Sequence, residues 1–320
     1  MKDTPSFNLL LANFFIGLMR GHRFLHPASD EMRRLGYVLF RMEPSFVAAG
    51  GRVNPDAMAC SQKTGHTLLA EWTGLDAPDS SKKEQIRRYL SVKREDLVDR
   101  AAVRTSAASA NSTLLVVRPS AVGSFRAVCG QTQGGRLMLS SFACPPESGY
   151  RLEYQDGDLS DAGLARLLKG EVTANRVPRG YVRVLTHDLS VGSMAEVVIQ
   201  QLVSFAAKKR FDFTLEDFCS QVFSVWRLFD VAKRRSIAKA VARVLSQLVR
   251  KRYAQRWIEK TKEVPPAWRF KINEPRDSGA FFAHMRGIAA RFLAEVGGKP
   301  IQGELFDSIE DQPMAGAPPE

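Results

Sequence analysis

Two acids, Asp56 and Glu71, stand 15 residues apart in the stretch "RVNPDAMACSQKTGHTLLAEWTG", residues 52–74. Asp56 opens one apolar run and Glu71 closes the next, with the polar turn "QKTG" between them. If the two runs pair as a hairpin, the chain returns to the level it left, and both carboxylates reach one end of the sheet. Hard carboxylate oxygens in that position, with the Trp72 carbonyl as a third ligand, suit Mg²⁺ or Mn²⁺. Such a cation polarises a phosphodiester and activates water. The same residues also read as an ordinary hairpin carrying two surface carboxylates.

The elements that must position these acids are legible in outline. Residues 5–20 and 28–36 predict helices, and "GYVLFRMEPSFVAAG" predicts a strand that turns at Pro44. Two short strands follow, "RVNPDAMACS" and "HTLLAEWTG". Between Asp79 and Val92 the chain has helix-start chemistry, with Ser80 or Ser81 as the cap and Glu84 completing a capping box with Ser81. Ile86, Tyr89 and Leu90 fall on one face of that helix. "AASANS" reads as a loop and "TLLVVRPS" as a strand of the fully buried type. "GGRLMLSSF" predicts another strand, residues 145–157 are turn-rich, and "LSDAGLARLLKG" predicts a capped helix ending at Gly170. "VPRGYVRVLTHD" predicts one more strand. Helix, three strands, helix and strand in that order indicate an α/β domain over residues 1–190.

Composition then shifts. From Met194 the pattern is helical: "MAEVVIQQLVSFAAKKR", "TLEDFCSQVF" with Thr214 as cap, and "DVAKRRSIAKAVARVLSQLVRKR". Two strands, "YAQRWIE" and "AWRFKI", flank the turn "KEVPP". Between Val231 and Lys262 there are 11 bases against one acid, Glu259. Ile237, Val241, Val244, Leu245 and Leu248 form the apolar stripe of the third helix, and Arg235, Lys239 and Arg243 project elsewhere. Arg234, Lys251, Arg252 and Arg256 complete a set of cations able to meet phosphates, each neutralised phosphate releasing a counterion. The 320-residue chain carries net charge +12 with a pI of about 9.7, a balance that favours nucleic acid first and anionic membrane second. Residues 194–273 are read as one module, 274–298 as a C-terminal helix and 299–320 as a mostly disordered tail.

Several classes are disfavoured. Cys60, Cys129, Cys144 and Cys219 have no zinc-ligand or redox spacing, which fits a reduced, cytoplasmic setting. "FNLLLANFFIGLM" is apolar for 13 residues, too short to span a bilayer, and lacks signal-peptide features; it reads as a helix packed on the first domain. His22 and His26 have helical ligand spacing without a third partner, and His66, His187 and His284 read as surface or structural. No Gly-x-Ser-x-Gly elbow and no P-loop occurs.

Over about residues 28–120 the chain resembles the PD-(D/E)XK nuclease superfamily. Pro55-Asp56 and Glu71-Trp72-Thr73 match its paired acids, and Gln85-Ile-Arg-Arg-Tyr89 is similar to the QxxxY element of the RecB-like branch. The resemblance implies a restriction-endonuclease-like mixed sheet flanked by helices, with Asp56 and Glu71 holding Mg²⁺ or Mn²⁺. It also implies metal-dependent DNA cleavage in restriction, repair or anti-phage defence, with Gln85 and Tyr89 as site residues. The family lysine belongs at position 73, where this chain has Thr73. Either Lys82 or Lys83 reaches in from the next helix, or the domain is a catalytically inactive DNA-binding or assembly subunit working with protein partners. The C-terminal module resembles winged-helix DNA-binding domains. "QGELF", residues 302–306, resembles a sliding-clamp-binding peptide anchored by Gln302, Leu305 and Phe306.

Overall fold

The structure, a computed structural model, describes residues 7–20, 26–48, 50–97, 110–129, 135–144, 149–174, 189–208, 210–223, 225–250, 258–261, 267–271 and 277–296. It is a mixed α/β protein that divides into two compact units, Met1–Val182 with Arg227–Asp230, and Arg183–Trp226 with Val231–Glu320.

The first unit is built on a seven-stranded sheet. Its strands are β1 (Tyr37–Met42), β4 (Ala57–Ser61), β5 (Thr67–Trp72), β6 (Asn111–Val117), β7 (Leu137–Ala143), β8 (Tyr150–Gly157) and β9 (Val172–Ala174), in that spatial order. β5, β6 and β7 run parallel, and the other neighbours are antiparallel. A separate two-stranded ribbon, β2 (Phe46–Ala48) and β3 (Gly51–Val53), precedes Asp56. The helices are α1 (Phe7–Arg20), α2 (Ser29–Arg34), α3 (Ser80–Ser91), α4 (Val122–Cys129) and α5 (Ala162–Lys169).

Every residue of β4, β5 and β6 is buried, because helices cover both faces of the central sheet. On one face Phe15 of α1 stacks on Trp72 with ring centroids 5.3 Å apart. On the other, Ile86 of α3 packs with Leu115 and Val117 of β6 and Phe125 of α4. The β2–β3 ribbon tucks Phe46, Ala48 and Val53 against Tyr89 of α3 and Met58 and Leu69 of the sheet.

Two parts of the sequence reading change here. Residues 150–157, expected to be turns, form β8. That strand is partly exposed and carries Arg151, Glu153 and Asp156, so its ladder to β7 exists without the apolar run that marks a buried strand. The helix α3 is capped by Asp79, whose carboxylate accepts from the Lys82 N–H at 2.7 Å, and not by Ser80 or Ser81. Glu84 instead faces Arg87 and Arg88, at 3.7 and 3.3 Å. The strand expected over residues 177–188 lies outside the described residues.

The second unit runs α6 (Val191–Ala207), β10 (Asp212–Thr214), α7 (Leu215–Val222), α8 (Val231–Arg250), β11 (Ile258–Lys260), β12 (Ala267–Phe270) and α9 (Asp277–Val296). Its strands form a sheet in the order β10-β12-β11, antiparallel throughout. Thr214 caps α7 as expected, in a reciprocal box with Asp217. Ile237, Val241, Val244, Leu245 and Leu248 are the buried stripe of α8. No described helix is long and apolar enough to cross a membrane.

Candidate active site

Strand register brings the two acids together. Ala57 lies opposite Ala70, so Asp56, one residue before β4, falls beside Glu71 of β5. β1 extends the row, because Met42 is opposite Ala57 and the Glu43 N–H donates to the Asp56 carbonyl at 2.9 Å. Successive strand side chains alternate between faces. Trp72 turns to α1, so Glu71 turns to the face that α3 covers. On α3, Lys82, Gln85 and Tyr89 stand at i, i+3 and i+7, one stripe of the helix surface.

These groups form one hydrogen-bonded cluster. The Lys82 ammonium lies 2.5 Å from Glu71 Oε1, and the Tyr89 hydroxyl lies 2.7 Å from Glu71 Oε2. Gln85 donates to the Tyr89 oxygen at 2.6 Å, and the same hydroxyl is 2.9 Å from the Asn54 carbonyl. Asp56 Oδ2 accepts from the Trp72 N–H at 2.8 Å. The Asp79 cap therefore has a consequence at the site: it fixes the third residue of α3, whose ammonium then reaches Glu71.

Charge is out of balance within this cluster. Burial and the neighbouring Glu71 push the Asp56 carboxyl well above its ordinary range, against the Trp72 hydrogen bond and the Lys82 charge; Glu43 adds to the rise. Burial also pushes Glu71 up, against Lys82 and the Tyr89 hydroxyl. Two sequestered carboxylates thus share one ammonium. A divalent cation would favour the ionised form of both acids, and Mg²⁺ commonly takes only one or two protein carboxylates, completing its shell with water and substrate phosphates. The donor set fits on those terms. Among the described residues there is no group of three or more His, Cys, Asp or Glu able to hold a metal by themselves.

The remaining site residues fall in different places. Lys83 is exposed on α3. Thr73 is buried, and its hydroxyl accepts from the Leu75 N–H at 3.2 Å. His26 is buried edge-on to Phe14, and His22 lies outside the described residues. On α8, Arg235, Lys239 and Arg243 are exposed at successive i+4 positions, whereas Arg234 is half-buried and 3.9 Å from Glu216. Glu216 also accepts from the Trp226 indole at 2.5 Å. Lys251, Arg252, Arg256, Gln302, Leu305 and Phe306 lie outside the described residues.

Three contributors escaped sequence reasoning. The Asn54 carbonyl is a backbone group with no residue-type signal. Asp79 carried a signal, an acid followed by a helical pattern, that the adjacent serines obscured. Glu43 enters through strand register alone; it also sits at φ 46°, among the described residues the sole non-glycine with positive φ.

The fold and the site together describe an α/β protein with a sequestered, lysine-paired carboxylate centre. A family model described as the MJECL32 domain matches residues 10–117, about a third of the chain. That span includes Asp56, Glu71, Lys82, Gln85 and Tyr89. No curated protein and no solved structure matches the chain.

Proposed function

We propose that this protein is a Mg²⁺- or Mn²⁺-dependent deoxyribonuclease of the PD-(D/E)XK type, with a winged-helix unit that grips DNA. The observation that carries the proposal is the Lys82 ammonium placed 2.5 Å from Glu71, with Asp56 beside it in register. It answers the missing lysine at Thr73, since a cation from α3 occupies the neighbourhood that the strand lysine would reach. The order helix, three antiparallel strands, helix and parallel strand, through α2, β1, β4, β5, α3 and β6, supports the restriction-endonuclease-like reading.

When bound, the metal supplies Lewis-acid polarisation of the phosphodiester and activation of water. The chain's own groups do the rest. Asp56, held by the Trp72 N–H, and Glu71, held by Tyr89, present oxygens in fixed directions. Gln85 locks the Tyr89 hydroxyl. Lys82 orients the attacking water and offsets charge that develops on the phosphate.

In the second unit, helix, strand, two helices and two strands, with β12 lying between β10 and β11, support the winged-helix reading. Arg235, Lys239 and Arg243 are its phosphate contacts. Free cysteines and a metal-dependent DNA activity fit a cytoplasmic setting in restriction, repair or defence. Gln302, Leu305 and Phe306 are candidates for docking to a sliding clamp.

The test is cleavage of linear and single-stranded DNA with and without Mg²⁺. Cleavage that EDTA, Asp56→Ala and Glu71→Ala each abolish supports the nuclease. Thr73 favours the second reading, a DNA-binding or assembly subunit that does not cut. That reading gains if DNA binds in a salt-sensitive way and stays intact. Replacing Arg235, Lys239 or Arg243 singly is expected to lower the salt slope by about 1 each. Unchanged salt slopes in all three variants would remove α8 from the DNA interface.

A further inference from the structure

The opposite end of the β4–β5 hairpin carries a second polar chain, independent of the carboxylate centre. His66 begins at the turn before β5 and is buried, 2% exposed. Its Nδ1 lies 2.7 Å from the Tyr37 hydroxyl, and its Nε2 lies 3.0 Å from the Ser112 hydroxyl. Ser112, also buried, is 2.8 Å from the Ser160 hydroxyl and accepts from the Ser160 N–H at 2.9 Å. At the far end, the charge of Asp161 acts on the Tyr37 hydroxyl. Asp161 itself is held by the Thr64 hydroxyl and the Leu164 N–H, both at 2.8 Å.

Counting hydrogens gives this chain a direction. One assignment sets the rest: the single Tyr37 hydroxyl hydrogen, drawn by the Asp161 charge, turns to that carboxylate, which can only accept. The Tyr37 oxygen then accepts from His66 Nδ1–H. A neutral imidazole with hydrogen on Nδ1 must accept at Nε2, so Ser112 donates there. Ser112, its only hydrogen used, accepts from Ser160. Every group thus donates towards Asp161, and the outermost member is the exposed Ser160. Ser160 lines an open groove of about 520 Å³ with Leu159, Ala162, Arg166 and Lys169 among its walls.

We infer that Ser160 is an activated nucleophile, a second reactive site whose proton leaves through Ser112 to His66 and which takes an acyl group from a small ester in this groove. Ser160 Oγ attacks the ester carbonyl and forms the new acyl C–O bond. The Ser160 proton passes to Ser112 as the Ser112 proton passes to His66 Nε2. The ester C–O bond breaks, and the leaving alcohol takes the proton back along the same path. The imidazolium formed in between keeps Nδ1–H on Tyr37, which remains on Asp161. Atoms and charges balance without a further reactant. The Asp56 and Glu71 centre takes no part, so this inference stands or falls apart from the nuclease reading.

The experiment uses the full chain and a fluorophosphonate probe, which phosphonylates activated serines with loss of fluoride. Intact mass and peptide mapping should find one adduct, on Ser160, and Ser160→Ala should remove it. Ser112→Ala cuts the relay and leaves Ser160 exposed; it should slow labelling about 10²-fold or more, with thermal denaturation confirming the fold. Tyr37→Phe, which keeps the ring and removes the hydroxyl, is the second variant and should slow labelling in the same direction. No adduct on Ser160, or labelling of a folded Ser112→Ala or Tyr37→Phe protein at the unsubstituted rate, overturns the inference.

Discussion

The two ends of the β4–β5 hairpin both bury polar groups, yet they settle their charge in opposite ways. At the Glu71 end, two carboxylates share the single Lys82 ammonium, and both acids are pushed above their ordinary range by burial. At the His66 end, burial pushes the imidazole down to about 4, so it is neutral, and each of its nitrogens meets a hydroxyl. There the Asp161 carboxylate, which burial alone would raise, is brought below its ordinary range by the Leu164 N–H and the Thr64 hydroxyl. One end is satisfied by the protein alone. The other sets two acids against one ammonium, and burial holds both acids towards their protonated forms. Under the proposed function, a bound divalent cation is what would draw both acids to their ionised forms.

The largest expected effect breaks the charged end. Under the proposed nuclease function, Lys82→Ala should lower Mg²⁺-dependent cleavage on the order of 10²–10³-fold, because it removes the positive charge that this reading places next to the phosphate. Measured rates on one DNA substrate decide this, and activity within a few fold of the unsubstituted protein would exclude Lys82 from the chemistry.

The next effect separates the ends by pH. The folded-state pKa of His66 is depressed, so its contribution to stability is present above the unfolded value and is lost as pH falls from 6.5 towards 4. The shift corresponds to about 3 kcal/mol. Asp56 and Glu71 have raised folded-state values, so their contribution is present at low pH and is lost as pH rises through and above the ordinary carboxylate range. Urea denaturation of metal-free protein across pH 4–8 should show a weakened acid side that flattens in His66→Gln. An unchanged acid side in that variant would remove His66 as its source.

Asp56→Asn should give a smaller, opposite effect. It removes one of the two crowded charges and leaves an oxygen for the Trp72 N–H. Metal-free protein at neutral pH should gain about 1 kcal/mol, a rise in Tm of about 2–4 °C, while the further rise on adding Mg²⁺ disappears. A fall in Tm would show that the acids are not in conflict. Glu43→Gln should do least: its charge is the last contributor to the raised Asp56 value, so less than about 0.5 kcal/mol is expected in the same assay.

Legibility followed the local signals. The apolar runs of β5 and β6 and the stripe of α8 stand out because burial on a strand or helix repeats along the chain. β8 did not stand out, because a half-exposed strand takes its identity from the ladder to β7. The QxxxY spacing placed Gln85 and Tyr89 on one helical stripe. The bond from Gln85 to the Tyr89 hydroxyl, and the Tyr89 partners Glu71 and Asn54, needed coordinates, as did the choice of Lys82 over Lys83. His66, read as surface or structural, is the buried middle of a hydrogen-bond chain.

By itself the amino-acid order determined which residues could do chemistry: two acids bracketing a hairpin, a helix of correct spacing after it, and a cation-rich helix far downstream. Those follow from periods of about 2 and 3.6 residues, which are properties of local backbone. Tertiary structure alone decided that Asp56 and Glu71 fall side by side, that one of two adjacent lysines meets them, and that Ser160 joins His66 across 94 positions of sequence. Strand register and helix seating set those meetings, and both depend on how distant surfaces pack, which no local period encodes.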